Sequence, residues 1–184
     1  MDNTIKFLMT MGNLKKIPRT GWLLRNIYGC ETVAAHNHRV ALICMLLCDR
    51  IDNVDFETTL KMALLHEIGE TRLGDIPTPV GKKFNKDRVE KKIAEEILVD
   101  CKLQRYQPLT DEYFDGDSIE KIIVDAADKI DMMLQAYEYS KNGFSGAKEF
   151  FNKIDDFIDK YTEIDEIKKI FVEIKNEIDK ETDF

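Results

Sequence analysis

The chain has 184 residues, with 27 lysines and arginines against 35 aspartates and glutamates, a formal net charge of −8 and a pI near 5.0. That balance excludes a chain built to coat nucleic acid or an anionic membrane, and leaves room only for a local basic pocket that holds a single phosphate. The length suffices for a substantial core without staples and there is no Gly/Ser linker, so residues 1–184 are expected to form one domain.

The N-terminus, MDNTIKFLMTMG, lacks a basic stretch followed by a long apolar core. No apolar run approaches the ~18 residues that a membrane span needs, and a cytoplasmic location is expected. Cys30, Cys44, Cys48 and Cys101 form no C-x-x-C pair and sit in apolar surroundings, which reads as buried free thiols. Cys44 and Cys48 share a helical face, but two thiols without third and fourth ligands nearby make a poor metal site.

Helical periodicity dominates and no alternating strand run stands out, so the fold class is all-α, a compact helical bundle. Asp2 or Asn3 can cap a first helix running to about Leu14. KKIPRTGWLLRN reads as a loop because Pro18 and Gly21 interrupt any regular pattern. From about Glu31 to Asp49, Val33, Val40, Ile43, Leu46 and Leu47 recur at helical intervals with little charge in the second half, as in a core helix. A third helix, from about Phe56 to Arg72, turns Leu60, Ala63, Leu64 and Ile68 inward and stops near Gly74. NKDRVEKKIAEEILVDCKL sets Val89, Ile93, Ile97 and Leu98 against a dense charged face, the pattern of an outer helix with a solvated side. Ser118 opens a long helix through DAADKIDMMLQAYEYS, broken at Gly143 and Gly146. FSGAKEFFNKIDDFIDKY is amphipathic and helical. A last helix after Tyr161 carries Ile164, Ile167, Phe171, Ile174 and Ile178, and packs on the domain or on a second subunit.

Chemistry concentrates in ALLHEIGETRLGDIPTP, residues 63–79. The zinc-protease signature H-E-x-x-H fails there because position 70 is Glu. With His36, His38 and His66 the only histidines, a hydrolytic metal site must draw on carboxylates. His66 and Glu67 diverge by about 100° on a helix and can share one ion between them. Glu70 follows on the same flank, placed for an acid or base role. The motif alone also describes an ordinary exposed His-Glu-x-x-Glu face. Company comes from His36, in a helix rich in Ala, Val, Ile and Leu, and from Asp128, where carboxylates interrupt an apolar stripe. Buried carboxylates are costly unless paired or metal-bound. His36 and His38 differ by about 200° around a helix, so at most one faces a shared pocket, and periodicity does not choose between them. Asp125, Asp128 and Asp131 pose the same choice.

Four separated segments, LKKIPRTGW, ETVAAHNHR, LLHEIGETRLGDIPTPV and AADKIDMMLQAYEY, resemble in order and spacing the HD-domain phosphohydrolases, and within them the 5′-deoxynucleotidase-like group. The similarity covers about residues 14–140. It implies an all-helical HD-type fold around one divalent cation (Mn, Co, Fe, Zn or Mg) held by His36, His66, Glu67 and Asp128. It also implies Glu70 and Asp75 as catalytic side chains, and Arg19 and Trp22 as contacts to nucleotide phosphate and sugar. Arg19 offers planar donors to a phosphate and Trp22 an apolar surface; apart from the resemblance they read as a surface ion pair and a core anchor. Lys82 and Lys83, just past the prolines, read as ordinary surface charge, with attraction of phosphate as the alternative. One departure stands out: the group normally has Asp where this chain has Glu67. Metal distances tolerate about ±0.2 Å, so the longer side chain must bend back, bind bidentately or leave the ion.

The resemblance implies hydrolysis of (deoxy)nucleoside 5′-monophosphates to nucleoside and phosphate, with a small nucleotide rather than a nucleic-acid polymer or membrane as partner. Members of the group are often dimers, so the resemblance leaves room for a homodimer, which the sequence itself does not demonstrate. The alternatives are a non-catalytic nucleotide- or metal-binding module spoiled by Glu67, an HD phosphohydrolase acting on another nucleotide or phosphoester, and a structural dimerisation domain.

Overall fold

The computed structural model describes residues 2–81 and 83–182, so Lys82 lies outside the described residues. The helices are α1 (Asn3–Met11), α2 (Thr20–Leu23), α3 (Val33–Cys48), α4 (Phe56–Leu65), α5 (Glu70–Leu73), α6 (Thr78–Gly81), α7 (Lys86–Asp100), α8 (Gln107–Asp115), α9 (Ile119–Lys141), α10 (Ile154–Lys160) and α11 (Asp165–Thr182). Tight 3-10 turns lie at Gly12–Lys15, Gln104–Tyr106 and Ser145–Lys153. Among the described residues there is no sheet, only an isolated bridge between Pro18 and Thr32, and no helix is long and apolar enough to cross a membrane.

Side-chain caps set several of the starts. Asp2 accepts from the Thr4 amide at 2.8 Å, Thr32 from Ala35 at 3.3 Å, Asp55 from Thr58 at 3.1 Å and Ser118 from Lys121 at 3.3 Å. Each satisfies an amide that has no partner within its helix. The helix expected to run from Phe56 to Arg72 instead leaves α-geometry at Leu65. The amides of Ile68, Glu70 and Thr71 reach carbonyls three residues back, at 2.9, 3.1 and 3.2 Å, before α5 resumes. Gly69, a poor helix former, sits in that turn with its backbone against α7. Further elements depart from expectation. The loop after Pro18 contains α2, and α8 forms where no helix was expected, opened by Pro108 in its first turn.

α3, α4 and α9 meet along Val40, Cys44, Leu47, Met62, Ala63, Ile123, Ala127 and Ile130. α11 adds Ile167, Phe171, Ile174 and Ile178 to the same cluster, so its apolar stripe packs within the chain. A second cluster, of Leu65, Ile68, Ala94, Ile97, Leu98 and Cys101, pins α7 to the end of α4. Because Leu65 and Ile68 turn towards α7, the intervening His66 and Glu67 are left facing α3 and α9. The four cysteines are free, Cys44 and Cys101 buried, Cys30 and Cys48 partly so.

At Gly69 an added Cβ would stand 2.8 Å from Glu90 Cβ and 2.9 Å from the Glu90 backbone, whereas at Gly12 nothing lies within 4 Å. Gly69→Ala is therefore expected to lower the unfolding free energy by about 1–3 kcal/mol through overpacking. Gly12→Ala, at a helical φ of −59°, is expected to raise it by about 0.4–1 kcal/mol. Urea denaturation of the two variants checks both signs.

Candidate metal centre

Two imidazoles meet where α3, α4 and α9 converge. His36 lies inside α3 and is fully buried; its Nδ1 is 2.5 Å from Asp131 Oδ2 on α9. Asp131, also fully buried, takes the Arg39 Nε–H on its other oxygen, and Arg39 donates further to Gln135 and Glu138 at 2.8 Å each. His66 follows the last residue of α4 and directs Nδ1 at the Ala63 carbonyl, 2.6 Å away. In the neutral imidazoles, with both Nδ1–H groups donated, the lone pairs are on Nε2, and both Nε2 atoms are buried without a hydrogen-bond partner, that of His36 facing the Asp128 carboxylate. A buried nitrogen left in that state is costly. A carboxylate or carbonyl on the far nitrogen is the usual support of a metal-ligating histidine.

Carboxylates complete the donor set. Glu67 Oε1 lies 3.6 Å from His36 Nε2 and 3.5 Å from His66 Nε2, close to the separation of about 3.4 Å expected between two ligands of one tetrahedral ion. The extra methylene of Glu67 thus does not carry its carboxylate away from the histidines. Donor atoms of His36, His66 and Glu67 all lie within 4.8 Å of one another. Asp128 Oδ1 is 3.2 Å from His36 Nε2, while its other oxygen accepts from Lys129 Nζ at 2.5 Å. Two imidazoles with one or two carboxylates suit a divalent first-row cation, and the unpartnered nitrogens are the observation that fits it.

The electrostatics agree with a site short of positive charge. Burial and Arg19 oppose a proton on His36, yet Asp128 and Asp131 outweigh them and push it up to about 9. Burial holds His66 below its ordinary value. Burial disfavours the charge on Glu67, but His66, Arg19 and His36 keep it below the usual carboxylate range. Against the same penalty, Lys129, His36 and Arg19 hold Asp128 well below that range.

Arg19 reaches the centre from the loop before α2. Its amide donates to the Glu31 carbonyl at 3.0 Å and the Val33 amide to Ile17 at 2.9 Å, so residues 17–19 are strapped to the start of α3. The guanidinium lies 3.4 Å from Glu67, 3.4 Å from Asp75 and 3.7 Å from Asp128. Asp75 also accepts the Thr20 amide, and its carbonyl accepts the Thr20 hydroxyl at 2.8 Å. Trp22 is 3 % exposed, donates Nε1–H to Glu31 at 3.0 Å and packs its ring 5.2 Å from Tyr139 and 4.4 Å from Phe150. It is a core anchor whose edge reaches the pocket wall, rather than an open platform.

A cavity of about 730 Å³ opens over these groups, lined by Arg19, His66, Glu67, Asp75, Asp128 and Trp22 among others. Glu70 is not on its wall. It lies fully buried behind Glu67 and accepts from Lys86 Nζ at 2.8 Å. Burial, then Glu67, pushes Glu70 up to about 10; burial likewise raises Glu90, to about 7, against the opposing pull of Lys86. Of the residues singled out from sequence, the structure gathers His36, His66, Glu67, Asp128, Arg19 and Asp75 at one spot and sets Glu70 one layer deeper. His38 is exposed, and Asp125 pairs with Lys160 at 2.5 Å, away from the histidines. Sequence reasoning weighed Asp131 only as an alternative to Asp128, and missed Lys86 and Glu90. Asp131 had a signal, being three residues after Asp128 on the same helical flank; Lys86 and Glu90 were indistinguishable from a solvated face.

A family model described as HD domain matches residues 11–181. A protein of Danio rerio named 5′-deoxynucleotidase HDDC2 is 36% identical over 145 residues, covering 77% of this chain and 72% of its own. One of Saccharomyces cerevisiae named 5′-deoxynucleotidase YGK1 is 31% identical over 175 residues, 90% of this chain and 78% of its own. Among solved structures, a conserved hypothetical protein of Pyrococcus furiosus superposes with a TM-score of 0.81 at 34% identity, covering 94% of this chain and 99% of that one. The match runs through all three helices that carry the paired histidines and their carboxylates, and the chain belongs to the HD domain family.

Proposed function

We propose that the chain is a divalent-metal-dependent phosphomonoesterase that hydrolyses deoxynucleoside 5′-monophosphates to nucleoside and phosphate. The observation that carries this reading is the pair of buried, unpartnered Nε2 atoms of His36 and His66 beside Glu67 and Arg19 on one cavity. The names of the relatives, 5′-deoxynucleotidases in fish and yeast alike, supply the substrate class.

His36, His66, Glu67 and Asp128 are the residues to hold the cation, and this mixed nitrogen and oxygen set suits Mn²⁺, Co²⁺, Fe²⁺ or Zn²⁺ better than Mg²⁺. When bound, such an ion supplies Lewis acidity towards a phosphoryl oxygen and makes water a competent nucleophile near neutral pH. Arg19 presents a planar guanidinium that matches two phosphate oxygens. Asp75, tied to the Thr20 amide on the cavity wall, is the carboxylate to orient the attacking water. Glu70, fully buried behind Glu67 and paired with Lys86, supports the position of Glu67 from one layer deeper instead of touching the substrate. Trp22 and Phe150 give the far end of the cavity an apolar wall against sugar or base.

The test is metal analysis coupled to phosphate release from a panel of ribo- and deoxynucleoside mono-, di- and triphosphates. Release from deoxynucleoside monophosphates is expected; metallated protein that binds nucleotide and releases no phosphate with any divalent ion is instead a binding module. Arg19→Ala is expected to lower kcat/KM by about 10- to 100-fold, the loss of one charge-assisted phosphate contact, while bound metal stays within twofold. Steady-state kinetics with metal content measured on the same sample separates those outcomes.

Metal affinity should also depend on pH through His36. In the metal-free protein its proton, held to about 9 against an ordinary 6.5, contributes stability that is complete below 6.5 and is lost as pH rises through about 9. Metal binding must expel that proton. Affinity is therefore expected to rise by up to tenfold per pH unit between those values and to level off above them. Competition with a chelator across the window measures the slope, and a flat profile would exclude His36 as a ligand.

A further inference from the structure

The reaction proposed above leaves Tyr113, a polar side chain on the cavity wall, without a task. Tyr113 is carried by α8 and sets its ring against that of His66, with centroids 5.7 Å apart and planes at 68°. Its neighbours along α8 are all tied down. Asp111 and Asp115 pair with Lys91 on α7, the first at 2.9 Å. Glu112 accepts the Ser118 amide at the start of α9, 2.9 Å away, and Phe114 packs against the cluster that pins α7. The Tyr113 ring itself packs on the core shared by α3, α4 and α9. Only its hydroxyl is left over, with no hydrogen bond among the described residues.

The position of that hydroxyl narrows what it can serve. The ring touches a metal-site histidine, and the charged groups that act on the hydroxyl most are Asp128 and Glu67, so it stands at the metal centre and not at the apolar end of the cavity. Burial and those two carboxylates push the phenol well above its ordinary value, and it keeps its proton. A neutral phenol is a hydrogen-bond donor. An unpaired donor at that spot lacks an acceptor oxygen, and the phosphate is the part of a nucleotide that brings oxygens to the centre. Arg19 comes to the same two carboxylates from the loop before α2, so a phosphate bound there meets donors from two separate elements.

We propose that Tyr113 is a substrate contact, its hydroxyl donating a hydrogen bond to a non-bridging phosphoryl oxygen held beside His66. The inference deepens the phosphomonoesterase reading and rests on it for the phosphate. Being uncharged, the phenol adds a contact without disturbing the ion pairs that Arg19 makes with Glu67 and Asp128. α8 fixes the distance: with Asp111, Glu112, Phe114 and Asp115 all anchored, the ring is presented from a rigid element.

The experiment is calorimetric titration of inorganic phosphate into Mn²⁺-loaded wild type and Tyr113→Phe, with metal content and urea midpoint measured on the same samples. The substitution keeps the ring against His66 and removes a hydroxyl that has no partner to lose, so the midpoint is expected to stay unchanged. The dissociation constant for phosphate is expected to rise by about 10-fold, as for one hydrogen bond to a charged acceptor, with metal content within twofold. A rise of less than twofold overturns the proposal. So does a loss of metal that accounts for the weaker binding, which would make Tyr113 a support of His66 and not a phosphate contact. Phosphate binding is read without turnover. A protein that hydrolyses no deoxynucleotide can therefore still show the contact, and one that hydrolyses them with phosphate affinity unchanged in Tyr113→Phe loses the contact alone.

Discussion

The contact between His36 Nδ1 and Asp131, 2.5 Å long and wholly buried, joins α3 to α9 and decides how the rest of the centre is arranged. A carboxylate at that depth must have its lone pairs taken. Asp131 gives one oxygen to His36 and the other to Arg39, which in turn is held by Gln135 and Glu138 along the same helix. The rotation of α9 about its axis is thereby set from Asp131 to Glu138, two turns of helix. Asp128, one turn earlier, has then to face the opposite side of the same imidazole, 3.2 Å from Nε2. One hydrogen bond selects the tautomer, aims the free nitrogen at the cavity and brings up the next carboxylate.

The other half of the centre is registered by packing. Leu65 and Ile68 go into the cluster with Ala94, Ile97 and Leu98, and the two residues between them have to point away from α7, at His36. The tighter winding from Leu65 to Thr71 is the local price of placing His66 and Glu67 at a helix end while Glu70 turns back towards Lys86. Glu67 therefore belongs to two environments at once: its carboxylate lies near both histidines and within 4.8 Å of the other acids. An aspartate in its place would hold its carboxylate nearer the backbone and farther from one or both neighbours. The longer side chain is consistent with a site in which one carboxylate has to span both.

How far the fold could be read from sequence followed how local the deciding physics was. α7, α9 and α11 announce themselves by apolar periodicity, α3 by a long run with little charge, and Ser118 by its cap, because these signals reside in a few consecutive residues. The end of α4 was misplaced because the close approach that goes with the break, of Glu90 on α7 to Gly69, is between elements distant in sequence. His36 could not be preferred to His38 on periodicity, since the Ala-rich start of α3 marks no clear polar side; the burial of one and the exposure of the other are tertiary facts. Trp22 carries both readings the sequence allowed: Tyr139 and Phe150 anchor it in the core, while its edge lines the cavity. Lys86 and Glu90 were assigned to solvent by the rule that charges face water, which fails when two helices share their charges in the space between them.

The same sharing answers how an acidic chain can receive an anion. At a net charge of −8 the protein as a whole repels a nucleotide, and the centre itself adds Glu67, Asp75, Asp128, Glu70 and Glu90 within a small volume. Arg19 comes to those acids from the loop before α2, Lys86 from α7 and Lys129 from α9, each within ion-pair distance of at least one. Because the three cations stand on different elements, no single stretch of sequence looks basic, yet their charges converge on one cavity wall. Beyond the Debye length of about 8 Å at physiological salt the remaining surface acids are largely screened, so the local balance decides: the carboxyl groups outnumber the three cations, each already ion-paired, and an anion is accepted once a divalent ion adds its charge. An acidic pI and an anion-accepting pocket are therefore compatible: the first is a sum over the chain, and the second is set by which charges the helices bring within a few ångströms of the histidines.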